Sequence, residues 1–306
     1  MNTYRKILIF VILLAMLASG CSKQATPPIT QIVAFGDSYS DNGASMRISK
    51  LDVGNGVADA GILPPSDLYW EGRWSNGPTA VEVLAQRLQV KLTDYAVGGA
   101  TSGLNNINPT GGMNMTGILS QLNNFQTDFQ GKKIDPAALY FIFISANDFF
   151  INLLNGYSGN YSDLADKALE NIQTAVTKLS ELGAKRFLIV NSFDPAIAPV
   201  VMTAQGEDVA NEFKHRFDTQ LPIIMDALSK KLNISVNVFD IQAVSDKIRS
   251  APQQYGLKNL ADPCMADLDS TTACNSPDEY FFWDPVHPTR RVHQIVGEAM
   301  AAVYGK

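Results

Sequence analysis

The pattern of apolar segments predicts an α/β fold: a central, mainly parallel sheet between two helical layers, a three-layer α/β/α sandwich. Two observations carry this expectation. Short apolar runs alternate with segments at helical spacing along most of the chain. The run Leu139 to Ile144, LYFIFI, is unbroken, as a strand covered on both faces must be.

The elements follow in order. Ile32 to Phe35 reads as a short buried strand ending at Gly36-Asp37-Ser38. Thr79 to Leu88 has helical spacing, with Pro78 placed for the first turn. Leu92 to Val97 reads as a strand running into Gly98-Gly99, and Ile118 to Phe129 as a helix. After LYFIFI, the residues Leu164, Ala168, Ile172, Val176 and Leu179 form a helical stripe stopped by Gly183. Arg186 to Val190 is the next strand. Asp208 to Leu232 reads as a helix in which Pro222 predicts a kink or break. Val236 to Phe239 is read as the last strand. Val292, Ile295, Val296, Ala299 and Met300 line one face of a C-terminal helix. Parallel sheets of this kind hold ligands at the carboxyl ends of their strands, so reactive residues are expected just after strands.

Composition narrows the function. Of 306 residues 46% are hydrophobic and 18% charged, enough apolar material for a sizeable core. The net charge of −6 argues against nucleic acid, whose phosphates demand a basic face. Arg5 and Lys6, the apolar run Ile7 to Leu17, and the small residues Ala18, Ser19 and Gly20 read as a secretory signal, residues 1–20. Cys21 directly after them resembles the lipidated cysteine of bacterial lipoproteins, although Ala18 stands where leucine is usual. Residues 21–30, with two prolines, read as a lipidated tether. No further linker divides 31–306, which is expected to be one domain. Ser22 is not aspartate, which in Gram-negative lipoproteins favours the outer membrane, facing periplasm or cell surface. With Cys21 lipidated, Cys264 and Cys274 remain as a matched pair for a disulfide in an oxidising compartment. No CxxC or HExxH segment is present, so a zinc site is not expected; no metal and no cofactor enter this reading.

Chemistry concentrates in four places. A small residue at the strand end lets Gly36-Asp37-Ser38 turn sharply and expose the serine, although Asp and Ser also cap helices. A serine nucleophile needs a base, and the base an orienting carboxylate. Asp284-Pro285-Val286-His287 can supply both from one turn. Of the three histidines, His215 lies in a polar stretch beside Lys214 and Arg216, and His293 lies inside the last helix as a structural residue. Gly98-Gly99 can bring an amide close to an oxyanion. The Asn147 amide in Ser145-Ala146-Asn147-Asp148 can donate to the same oxygen.

In this order the four segments resemble the GDSL, or SGNH, hydrolase family. FGDSYSDNG (35–43), YAVGGATS (95–102), ISANDF (144–149) and FWDPVHPT (282–289) are similar to its blocks. Ala146 stands where the family more often has glycine, and Tyr39 where its name has leucine. The resemblance implies a flavodoxin-like SGNH hydrolase fold. It also implies Ser38 as nucleophile, Asp284 and His287 completing a triad, and Ser38, Gly99 and Asn147 as oxyanion donors. Gly99 is preferred to Gly98 because it directly precedes the Ala-Thr-Ser part of its block. The expected activity is hydrolysis of small carboxylic esters, with a lysophospholipase or general lipolytic esterase as the alternative. A non-catalytic surface lipoprotein on the same fold is a further alternative.

Aromatics crowd these blocks, and aromatic faces bind quaternary ammonium groups. The overall form is similar to the family's lipoprotein choline esterases, so acylcholine substrates are expected. Trp283, Tyr39 and Phe149 are the expected substrate contacts. Tyr69, Trp70 and Trp74 lie in the long loop after Ser38, and the Asn/Gly-rich loop from Gly103 to Gly117 is placed to cover the pocket.

Overall fold

A computed structural model describes residues 28–305. The signal segment 1–20, Cys21 and most of the tether lie outside the described residues.

Five strands form a wholly parallel sheet: β1 (Gln31–Gly36), β2 (Lys91–Asp94), β3 (Leu139–Phe143), β4 (Arg186–Val190) and β5 (Ser235–Phe239), in the order β2-β1-β3-β4-β5. Alternate residues of one strand serve opposite cores. Tyr140 and Ile142 face α3 (Ile118–Phe129), α5 (Tyr161–Leu182) and α7 (Glu207–Leu232). Leu139, Phe141 and Phe143 face α2 (Ala80–Leu88), α8 (Ile241–Ser250) and α9 (Arg290–Ala302). Period-two alternation with both faces covered is why LYFIFI carries no polar residue. The remaining helices are α1 (Ala44–Gly54), α4 (Ala146–Leu154) and the short α6 (Pro199–Thr203).

Several boundaries differ from the sequence reading. Helix α2 starts after Pro78: Thr79 caps it in a reciprocal box with Glu82, so the proline precedes the cap. Strand β2 stops at Asp94 because its side chain accepts the Ala96 N–H and turns the chain. Helix α7 continues through Pro222 instead of breaking. Gly183 ends α5 in the left-handed conformation, φ +117°, as a C-terminal glycine should. Phe239 does not end the last strand, because β6 (Asn259–Pro263) and β7 (Tyr280–Phe282) form a separate parallel pair. Cys264 and Cys274, just beyond β6, are joined by a disulfide. This small unit frames the turn between β7 and α9.

Helices α2 and α9 approach closely. A Cβ on Gly297 would lie 2.6 Å from the Ala80 carbonyl oxygen. Nearby, the Ala80 N–H, a first-turn donor with no partner in its own helix, donates to His293 Nδ1 at 3.2 Å. His215 is exposed and His293 is buried.

Candidate active site

The sheet order reverses between β1 and β3, and the segments leaving β2, β1 and β3 meet there. After β1 the chain folds back at once, with the Ser40 and Asp41 N–H groups both donating to the Asp37 carbonyl. The Asp37 side chain accepts the Tyr39 N–H. Burial pushes its carboxyl up to about 8, against that hydrogen bond. Burial thus favours the neutral form of the Asp37 carboxyl next to Ser38.

From the far end of the chain, the turn after β7 brings His287 to Ser38. His287 Nε2 lies 2.9 Å from Ser38 Oγ, and His287 Nδ1 lies 2.7 Å from Asp284 Oδ2. The Asp284 Oδ1 oxygen accepts the N–H groups of Val286 and His287, each at 2.8 Å. The Tyr69 hydroxyl donates to Asp284 Oδ2 at 2.7 Å. Asp284 is fully buried. The ring of Trp74 lies 5.3 Å from that of His287 at 36°, and the ring of Tyr39 lies 5.8 Å from it at 59°.

Ser38, Gly99 and Asn147 line one cavity. The Gly98 N–H is engaged, donating to Asp41 Oδ2 at 2.8 Å and Ser45 Oγ at 2.9 Å. Among the described residues no hydrogen bond takes the N–H of Ser38 or of Gly99. Gly99 has φ +80°, and a Cβ there would meet Asn106 Oδ1 at 2.4 Å, so only glycine fits. Asn147 Nδ2 donates one proton to the Ala100 carbonyl at 2.9 Å, leaving its second N–H for the cavity. The adjacent Asp148 side chain binds the Ser102 N–H at 2.8 Å and hydroxyl at 2.7 Å, tying α4 to the Gly99 loop. Burial raises the Asp148 carboxyl to about 6, against the bonds from Ser102.

These groups open into a cavity of about 470 Å³. Its walls are mostly apolar: Leu63 and Trp74 on one side, Ile107 and Pro109 from the 103–117 loop, and Phe150, Leu154, Val200, Leu268 and Val286. Apart from His287, no lining side chain among the described residues is ionisable.

The expected substrate aromatics do not line this cavity. Phe149 is fully buried in the core beside α7, with Phe213 at 5.7 Å. Trp283 packs with Tyr69, Cys264 and Met265 in the small unit, because the N–H groups of Cys264, Met265 and Trp283 lock that backbone to its neighbours. Tyr39 is buried beneath His287, its hydroxyl donating to the Val286 carbonyl at 3.1 Å. Trp74 and Phe150 line the cavity instead. Helical spacing held the signal for Phe150: it lies three residues after Asn147 in α4, as Leu154 lies seven, so all three share one face. Phe149 points to the other. No local pattern marks Tyr69, 215 residues from the carboxylate it touches.

Comparisons with known proteins agree with this architecture. A family model described as GDSL-like lipase/acylhydrolase matches residues 32–300. The thermolabile hemolysin of Vibrio parahaemolyticus is 26% identical over 288 residues, covering 89% of this chain. The chain spans only 63% of that protein's length. The phosphatidylcholine-sterol acyltransferase of Aeromonas hydrophila is 26% identical over 343 residues, covering 95% of each chain. Among solved structures, a GDSL-like protein from Parabacteroides merdae superposes with a TM-score of 0.50 at 14% identity, covering 92% of this chain and 98% of that one.

Proposed function

The chain belongs to the GDSL-like lipase/acylhydrolase family, and from that premise we propose that it is a serine esterase acting on short-chain carboxylic esters. One observation carries the proposal: the hydrogen-bonded chain Ser38–His287–Asp284 opens onto an apolar cavity beside two unoccupied backbone amides.

Each residue then has a role. His287 Nε2 takes the proton of Ser38 as Oγ attacks the ester carbonyl. The developing oxyanion is held by the N–H groups of Ser38 and Gly99 and by Asn147 Nδ2. Asp284 stabilises the imidazolium and fixes the ring. His287 returns the proton to the leaving alcohol, then activates the water that cleaves the acyl-enzyme.

Short acylcholines belong within this proposal, with Trp74 in the part first given to Trp283. The Trp74 indole sits in the cavity wall beside His287, where an ammonium group could lie against its face. A lipolytic reading is favoured by a different observation: Ile107, Leu154 and Leu268 line the cavity and are also exposed, giving it an apolar mouth. Export, with anchoring through Cys21 to the outer membrane, completes the proposal.

The test is kcat/KM on acetylthiocholine, on its uncharged 3,3-dimethylbutyl isostere and on a lysophospholipid, with Ser38→Ala as control. Ser38→Ala should abolish turnover and fluorophosphonate labelling while the protein stays folded. A preference for the charged thioester that Trp74→Ala removes supports the choline reading; equal rates discard it. Faster turnover of the lysophospholipid favours the lipolytic one. A folded wild-type protein that takes no label refutes the serine esterase.

A further inference from the structure

Tyr69 belongs to neither the sheet nor the flanking helices. It comes from the long segment after α1, and its ring is wedged edge-on between Trp74 at 5.8 Å and Trp283 at 6.4 Å. Only 5% of its surface is exposed. Its hydroxyl ends on Asp284 Oδ2, the same oxygen that faces His287 Nδ1. Besides His287 Nδ1, the remaining donors to Asp284 are backbone amides of its own turn. Among the described residues no lysine or arginine contacts this buried carboxylate, so while His287 is neutral hydrogen bonds compensate its lost hydration. Tyr69 supplies the one bond from a distant part of the chain.

We propose that Tyr69 is a positioning residue: by sharing Asp284 Oδ2 with His287, its hydroxyl fixes the carboxylate and sets the proton affinity of the imidazole. This rests on the esterase reading above. The physical reason is competition for one oxygen. Density drawn toward the phenol O–H is withdrawn from the His287 bond, so the carboxylate stabilises an imidazolium less than it would alone. A general base whose protonated form is stabilised less remains free to accept a proton at lower pH. Burial, followed by the charge of Asp284, raises the Tyr69 hydroxyl well above its usual range, so it remains a donor throughout. The other ionisable groups bearing on this pair are Asp269 on Tyr69, Asp37 through Tyr39, and the neutral buried His293. None of them bonds Oδ2.

Tyr69→Phe keeps the ring between the two tryptophans and removes only the hydroxyl. With a small chromogenic acetate ester, the acid limb of kcat/KM should move up by about half a pH unit or more. Plateau kcat should fall about 3- to 10-fold with KM within about twofold, because the interaction serves the transition state. NMR titration gives a readout independent of turnover: the His287 ring should titrate correspondingly higher in the variant, with exposed His215 as internal reference. Incorporation of 3-fluorotyrosine at 69, a stronger donor of nearly the same shape, should move both titrations the other way. It keeps the test decisive should Tyr69→Phe fold poorly.

A limb and a His287 titration that coincide with wild type in both variants overturn the proposal, even if the plateau falls. A merely structural hydroxyl would lower the rate without moving the titration. If the wild-type protein turns over esters and takes the Ser38 label, that result overturns the role of Tyr69 alone. If the wild-type protein does neither, the esterase reading falls, and this inference with it.

Discussion

Replacing Asn147 by alanine tests both the bond its amide makes and the oxyanion role proposed for it. One Nδ2 proton is committed to the Ala100 carbonyl at 2.9 Å, and the other is free for the substrate oxyanion. Loss of an oxyanion donor costs about 2.7–4 kcal/mol of barrier, so kcat should fall about 10²- to 10³-fold. The lost bond to Ala100 leaves a carbonyl unpaired, which costs about 1–3 kcal/mol of stability. A chain of this size should then melt several degrees lower, at about 2–4 °C per kcal/mol. The assay is steady-state hydrolysis of a chromogenic acetate ester beside a thermal scan. Because the donor acts on charge that exists only in the transition state, KM should stay within about threefold. A kcat within about fivefold of wild type, in a folded variant, would refute the oxyanion assignment. A loss appearing only in KM would refute the reasoning that links it to the transition state.

Two further outcomes follow from the α2–α9 contact. Burial pushes His293 down from 6.5 to about 3, and its Nδ1 accepts the Ala80 N–H. Its folded pKa lies below the unfolded one, so the unfolded chain takes the proton first. The stability present above pH 6.5 is lost as pH falls toward 3. Between pH 7.5 and 5.0 this amounts to about 2 kcal/mol, and Asp37 and Asp148, both raised, pull the other way. His293→Asn, which retains an acceptor for Ala80, should therefore close its stability gap to wild type by about that amount on acidification; a gap independent of pH in chemical denaturation would contradict this. Gly297→Ala places a methyl group 2.6 Å from the Ala80 carbonyl. The strain should cost about 1–3 kcal/mol, read as a lower urea midpoint, and an unchanged midpoint would show that α9 shifts freely.

The parts of this protein legible in its sequence share a physical feature: their signal is local. LYFIFI announces a strand buried on both faces because both of its alternating positions are apolar. The stripe Leu164 to Leu179 and the glycine that ends it define α5 within their own residues. The blocks at Ser38, Gly99, Asn147 and Asp284–His287 stand out because each sits at a strand end or before the last helix. Less legible were α1, which has no apolar stripe and starts at donors taken by Asp41, and the pair β6–β7, whose short strands carry little pattern.

The choice among neighbouring aromatics was out of reach for the same reason. Whether Phe149 or Phe150 lines the cavity depends on which face of α4 turns to it. Whether Trp283 or Trp74 does depends on how the 55–79 segment folds across the small unit held by Cys264–Cys274. The contact of Tyr69 with Asp284 joins residues 215 positions apart. The sequence alone determined the layered α/β frame, the family and the candidate side chains now proposed to react, because periodicity and strand-end motifs are properties of consecutive residues. Only the tertiary structure decided which walls enclose those side chains and what holds their carboxylate, because burial and hydrogen bonding between distant segments exist only once the chain has closed on itself.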